Sequence, residues 1–141
     1  MAARSRFTLA ALAASLLVVC TLCFTFTPRN LLDVLQYPRE DPEGFGVLEV
    51  GADGRYIRGG VRSEGELIRL LSGSTCVRVL HEAPMPGPGE VCLFYGDMCA
   101  VIGPDRAVVY TAGSASNCYA VTHTDPELYP QVRGLLDLED V

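Results

Sequence analysis

The sequence contains no lysine and no tryptophan, and it has only two histidines, His81 and His123. Without lysine, neither a Schiff-base nucleophile nor a Gly-Lys-Ser/Thr phosphate loop can be built. The two histidines share no helical spacing, and His81-Glu82-Ala83-Pro84-Met85 lacks the second histidine of a helical zinc site. Cys92 and Cys99 stand seven positions apart, wider than a zinc knuckle uses. There is no Gly-x-Ser-x-Gly elbow, and Ala112-Gly113-Ser114-Ala115-Ser116 reads as a loop. A Cys118–His123 dyad fails because alternation along a strand sends those positions to opposite faces. Gly87-Pro88-Gly89 is a proline-rich loop and no phosphate cradle. The acid pairs Glu64 and Glu66, and Glu139 and Asp140, read as solvated surface. The expectation is a non-enzymatic chain with no cofactor, no metal and no small-molecule substrate.

Other absences bound the partners. Net charge is −6, of which Arg4 and Arg6 carry +2, leaving −8 for the rest. An acidic chain without a basic stripe argues against nucleic acid and against docking on anionic lipid. Asparagine occurs only in Asn30-Leu31-Leu32 and Asn117-Cys118-Tyr119, so no N-glycan acceptor exists. Lysine codons are A-rich, and their absence points to a GC-rich coding sequence.

What the sequence does have is one long apolar run. Residues 7–27 are 21 positions without a charge, between Arg4 and Arg6 on one side and Arg29 on the other. A helix needs roughly 20 such residues to cross a bilayer. The lipid bilayer is therefore the first expected partner. The basic N-terminal flank and the acids Asp33, Glu40, Asp41 and Glu43 put the N-terminus in the cytosol, a type II arrangement. The alternative is a cleaved signal and a secreted product. The run is longer than a signal core, and only Thr25 and Thr27 offer small residues ahead of Pro28. Cys20 and Cys23 mimic a redox pair, but in lipid they act as apolar residues, with acylation of Cys23 as a further option. The expected plan is a cytosolic tail over 1–6, a signal anchor over 7–27, a juxtamembrane helix and linker over 28–46, and one disulfide-bonded domain over 47–141.

Four cysteines lie beyond the anchor: Cys76, Cys92, Cys99 and Cys118. An even number in a small non-cytosolic domain predicts two disulfides, with the connectivity open; four buried thiols are the alternative.

Asn30 caps a short helix over 30–36 that extends the anchor until Tyr37-Pro38 stops it. A linker follows over 38–46. Val47–Val50 and Arg55–Arg58 flank an Asp53-Gly54 turn, a hairpin signal. Ser63 and Glu66 form a capping box for a helix over 63–71. Strands are predicted over 75–80, 91–95, 99–103, 107–111 and 117–123, separated by Gly- and Pro-rich turns. Thr124 and Glu127 form a second capping box. A last helix starts at Pro130, with Val132, Leu135, Leu136 and Leu138 as its apolar face. The fold class is α+β: a transmembrane helix, then a small antiparallel sheet of four to six strands covered by one or two helices.

With catalysis set aside, interaction chemistry remains. The loop from His81 to Glu90 and the aromatic residues are the exposed candidates. Met85, Tyr95 and Tyr129 are the named contact residues, since tyrosine joins a large contact area to a polar tip.

Two family resemblances fall in this region. Cys92-Leu93-Phe94-Tyr95-Gly96, Ala100-Val101-Ile102, Val108-Val109-Tyr110 and Cys118 resemble the small, N-terminally anchored subunits of the poxvirus entry–fusion complex. The likeness covers residues 92–118 and leaves Cys76 and Cys99 unmatched. It implies a disulfide-bonded virion-envelope protein that joins other membrane proteins in membrane fusion. Asp105, Val108-Val109-Tyr110, Cys118-Tyr119 and Pro126 to Pro130 resemble BRICHOS domains, which implies a chaperone-like module. In that family the cysteine matching Cys118 pairs with a later one, and no cysteine follows Cys118 here.

Overall fold

A computed structural model describes residues 2–37, 44–80, 85–111, 114–123 and 128–138. The apolar run forms helix α1, Ala2–Thr25, and none of its residues is buried. Its 24 residues span about 36 Å at 1.5 Å per residue, and the uncharged part from Phe7 to Thr25 covers about 28 Å, close to a hydrocarbon layer of about 30 Å. Arg29 lies 5.7 Å from the Phe24 ring centroid, a cation–π contact beside the helix end.

The chain does not continue as one helix. Strand β1, Arg29–Asn30, interrupts it, and helix α2, Leu31–Leu35, follows as a separate turn. The Asn30 side chain accepts from Leu32 N at 3.0 Å, capping α2, and its Nδ2 donates to Ser72 O at 2.6 Å. A capped start cannot also be the interior of a longer helix, because the cap residue is extended (φ −66°, ψ 141°). Leu31, Val34 and Leu35 are buried in the main core, so α2 belongs to the folded domain and does not extend α1.

The other elements are β2 (Gly46–Val50), β3 (Tyr56–Val61), α3 (Glu64–Ser72), β4 (Thr75–Val79), β5 (Val91–Tyr95), β6 (Met98–Ile102), β7 (Ala107–Thr111), β8 (Ser114–His123), α4 (Leu128–Gly134) and β9 (Leu136–Leu138). Nine strands make one sheet in the order β1-β4-β8-β7-β6-β5-β2-β3-β9, and every described pairing is antiparallel. The count among the described residues exceeds the expected four to six: β1 and β9 add short edge pieces, and the β2–β3 hairpin joins the other five strands in the same sheet. Three helices, not one or two, pack with the sheet.

The C-terminal helix is shorter than its apolar spacing predicts. Gly134 closes it, and Leu136-Asp137-Leu138 forms β9 on the edge of β3. Gly59 lets that edge approach: a Cβ there would lie 2.7 Å from Asp137 O. The expected box of Thr124 and Glu127 lies outside the described residues.

Strand alternation gives the sheet two different faces. Val47, Val91, Leu93, Met98, Ala100, Ile102, Val109 and Cys76 face one way and meet Leu67 and Leu71 of α3, Val132 of α4 and the leucines of α2. Cys92, Cys99, Val101, Val108 and Cys118 face the other way, with Leu48, Val79 and Tyr110 packed against them. Strand β6 is buried at all five positions, so both faces are covered at the sheet centre.

Candidate functional site

The loop before β5 is fastened at several points. Glu90 is 7% exposed and accepts from Arg106 Nε at 2.9 Å, Arg106 Nη2 at 2.6 Å and Gly87 N at 2.7 Å. Arg106 Nη2 also donates to Met85 O at 2.9 Å. Gly103 stands between the two charged residues on the ladder, and it must be glycine: a Cβ there would meet Glu90 Oε2 at 2.7 Å. The Arg106 hydrogen bonds hold the Glu90 carboxyl below the ordinary glutamate range, against the opposing pull of burial. On the other side Gly89 N donates to Val50 O at 2.7 Å, and Tyr129 Oη donates to Gly89 O.

The result is a pinned backbone that presents Met85, 82% exposed, to solvent. The expectation that Met85 is accessible agrees with this placement. Leu80, 83% exposed, stands at the end of β4. The first half of the expected loop, residues 81–84, lies outside the described residues.

The two tyrosines are placed differently. Tyr129 is half-buried, and its hydroxyl is spent inside the molecule on Gly89 O and on Arg133 Nη1 at 3.3 Å. Tyr95 is 5% exposed and is corrected from contact residue to core residue. It shares strand parity with Val91 and Leu93. Its ring sits 5.5 Å from Tyr37 and 4.9 Å from Phe45, centroid to centroid. Tyr37 and Phe45 flank residues 38–43, which lie outside the described residues.

A second charged pair lies beyond the loop. Glu49 has a side chain 5% exposed, and its Oε1 is 2.9 Å from Arg133 Nη2. Together with Val50, Ile57, Pro88 and Gly89 they line a cavity of about 470 Å³. Glu49 was legible in principle: it is the one acid at an inward position of an otherwise apolar strand, where an unpaired carboxylate is not tolerated. Glu90 carried the same signal at the start of β5.

All six cysteines are free thiols in this structure. Cys76 is buried under the helices, and burial pushes its thiol up to about 12. The other three share the opposite face. Interaction with the Cys92 thiol holds Cys99 below the ordinary thiol value, against the pull of burial and with the Tyr110 hydroxyl adding to the effect, while Cys92 and Tyr110 are pushed up. Cys118 is raised by burial. Two disulfides among the four domain cysteines require a partner for Cys76, and its placement on the far face of the sheet denies it one. Among the described residues no group of three or more His, Cys, Asp and Glu is arranged to hold a metal ion.

No family model, curated protein or solved structure matches this chain.

Proposed function

We propose that the chain is a single-span type II membrane protein whose folded domain binds other membrane proteins and carries no enzymatic activity. The observation that carries this reading is α1: a 24-residue helix, uncharged on all sides from Phe7 to its end, with no residue buried against the domain. A core helix of a soluble domain would hide at least one stripe. The pinned loop adds support, because an exposed methionine on a fastened backbone loses little freedom when a partner covers it.

The finer reading is a component of a virion envelope used in membrane fusion. It rests on the layout and on the residues 92–118 that resemble the poxvirus subunits. A photo-crosslinking residue at position 85 of the full chain should capture membrane proteins, and Met85→Asp should abolish their co-purification. Particles lacking the subunit should attach and fail to enter. Normal entry would remove the envelope reading and leave the anchored binding protein standing. Alkaline carbonate tests the anchor itself: an integral span stays in the membrane pellet. Release of a chain that begins near Pro28 would instead establish the secreted alternative, whether a binding subunit or a BRICHOS-like module.

A further inference from the structure

The sheet order decides which cysteines can meet. Cys76 lies opposite Val121, and Cys118 lies opposite Val79, on the β4–β8 ladder. Those two cysteines point to opposite faces and belong to separate cores. Cys99 and Cys118 share a face, but β7 runs between their strands. Tyr110 is the residue opposite both of them. Two strand spacings place those backbones roughly 9.5–10 Å apart. A disulfide tolerates a Cα separation of no more than about 7 Å. Cys92 sits one strand further from Cys118. Only Cys92 and Cys99 remain. They are diagonal neighbours on the β5–β6 ladder, offset by two positions, Cys92 facing Val101 and Cys99 facing Phe94; such diagonals lie about 7–8 Å apart, so a bridge there draws the two strands together by up to about 1 Å. Both side chains belong to the same buried cluster.

We propose that the β5–β6 hairpin is the redox-modification site of the domain, where Cys92 and Cys99 join as one intramolecular disulfide while Cys76 and Cys118 stay thiols. The oxidant is a disulfide, such as that of glutathione or of a thiol-exchange protein. While the chain is still open, one of the two cysteines attacks it as the thiolate and releases one thiolate. The other, once deprotonated, attacks the mixed disulfide at the first cysteine's sulfur and releases the second. One S–S bond is broken and one is made. Two electrons pass to the oxidant, and the two protons leave on the two thiols it becomes. Both protein sulfurs are essentially inaccessible in the folded sheet, 1% and 0% by residue, so the exchange accompanies folding. The bridge then resists reductants that do not unfold the domain.

The test uses the full chain in detergent, refolded in a glutathione and glutathione-disulfide buffer, unfolded with N-ethylmaleimide and digested. Trypsin cuts only at arginine here, so Cys76 falls in peptide 70–78, Cys92 and Cys99 together in 79–106, and Cys118 in 107–133. Peptide 79–106 should lack the maleimide and be two hydrogen atoms lighter than its reduced form. Chymotryptic cleavage after Phe94 or Tyr95 should leave its halves joined until a reductant is added. Peptides 70–78 and 107–133 should each carry one maleimide. Cys118→Ala should keep this pattern, and Cys99→Ser should expose Cys92 to the reagent. A bridge involving Cys76 or Cys118, or maleimide on all four positions of the refolded wild type, overturns the proposal. The buffer supplies the oxidant, so the outcome is independent of where the domain resides and of the partner reading above.

Discussion

The two faces of the sheet are built from different material. The helix-covered face is a layer of large aliphatic side chains, with Leu31, Leu35, Leu67, Leu71 and Leu93 at or near complete burial. The opposite face is a thin layer of small side chains, cysteine and valine, closed at one edge by a charged pair. The first face does the packing that holds the domain together. The second holds Cys92, Cys99, Cys118 and the Glu90–Arg106 pair. A strand with both sides covered has no spare surface, and β6 is buried at all five of its positions.

The contrast yields a ranking that mutation can break. Leu93→Ala should cost about 2–5 kcal/mol, the usual toll of a large-to-small core change. Val101→Ala, equally buried on the other face, should cost about 2 kcal/mol, from ~0.8 kcal/mol per buried methylene. Urea denaturation of the full chain in detergent reads both. Equal losses would mean that the thin face carries as much packing as the thick one.

Next in size comes the charged edge. Arg106→Ala leaves a buried carboxylate whose one remaining hydrogen bond among the described residues is from Gly87 N, at a cost of about 2–3 kcal/mol. The 38% exposure of Arg106 keeps this below the loss from a fully buried pair. Glu90 is depressed in the folded state, so its contribution is complete above the ordinary glutamate value and is lost as pH falls through the folded one. Wild type and variant should converge in stability in acid and separate towards neutral pH.

The cysteine under the helices gives the opposite pH sign. Cys76 is raised to about 12 when folded, so its share of stability is complete below the ordinary thiol value. That share is lost as pH rises towards 12. Cys76→Val should delay alkaline unfolding, measured by circular dichroism against pH, and leave the acid limb unchanged.

The smallest effects belong to the loop. Tyr129→Phe should cost about 1 kcal/mol through the lost bond to Gly89 O. Met85→Ala should stay within about 0.5 kcal/mol. A larger loss at Met85 would mean that its side chain packs inside the molecule.

Much of this was legible in advance. Val91–Tyr95 and Ala107–Thr111 read directly as strands, because tight glycine and aspartate turns bound them and their residues are β-formers. Helix α3 was legible from Ser63, whose Oγ accepts from Glu66 N at 3.4 Å. The apolar helix was legible from length alone. Three things were not. Leu136-Asp137-Leu138 fits either a helix stripe or an alternating strand, and only the free edge of β3 decides between them. Tyr95 looked like surface because aromatic type says nothing of parity. The cysteine geometry depends on β8 lying between β4 and β7, a non-consecutive neighbour that no local pattern encodes. Glu49 and Glu90 were visible as acids in apolar strands, but their arginine partners lie far along the chain.

Only three residues, Phe26 to Pro28, separate α1 from β1. Fully stretched they reach about 10 Å. A pull on the span is therefore delivered almost without slack to the Arg29–Asn30 pairing with β4, the first ladder to be loaded. On the proposed reading of α1 as an anchor, shear there would peel α2 from the core and uncover Leu31 and Leu35.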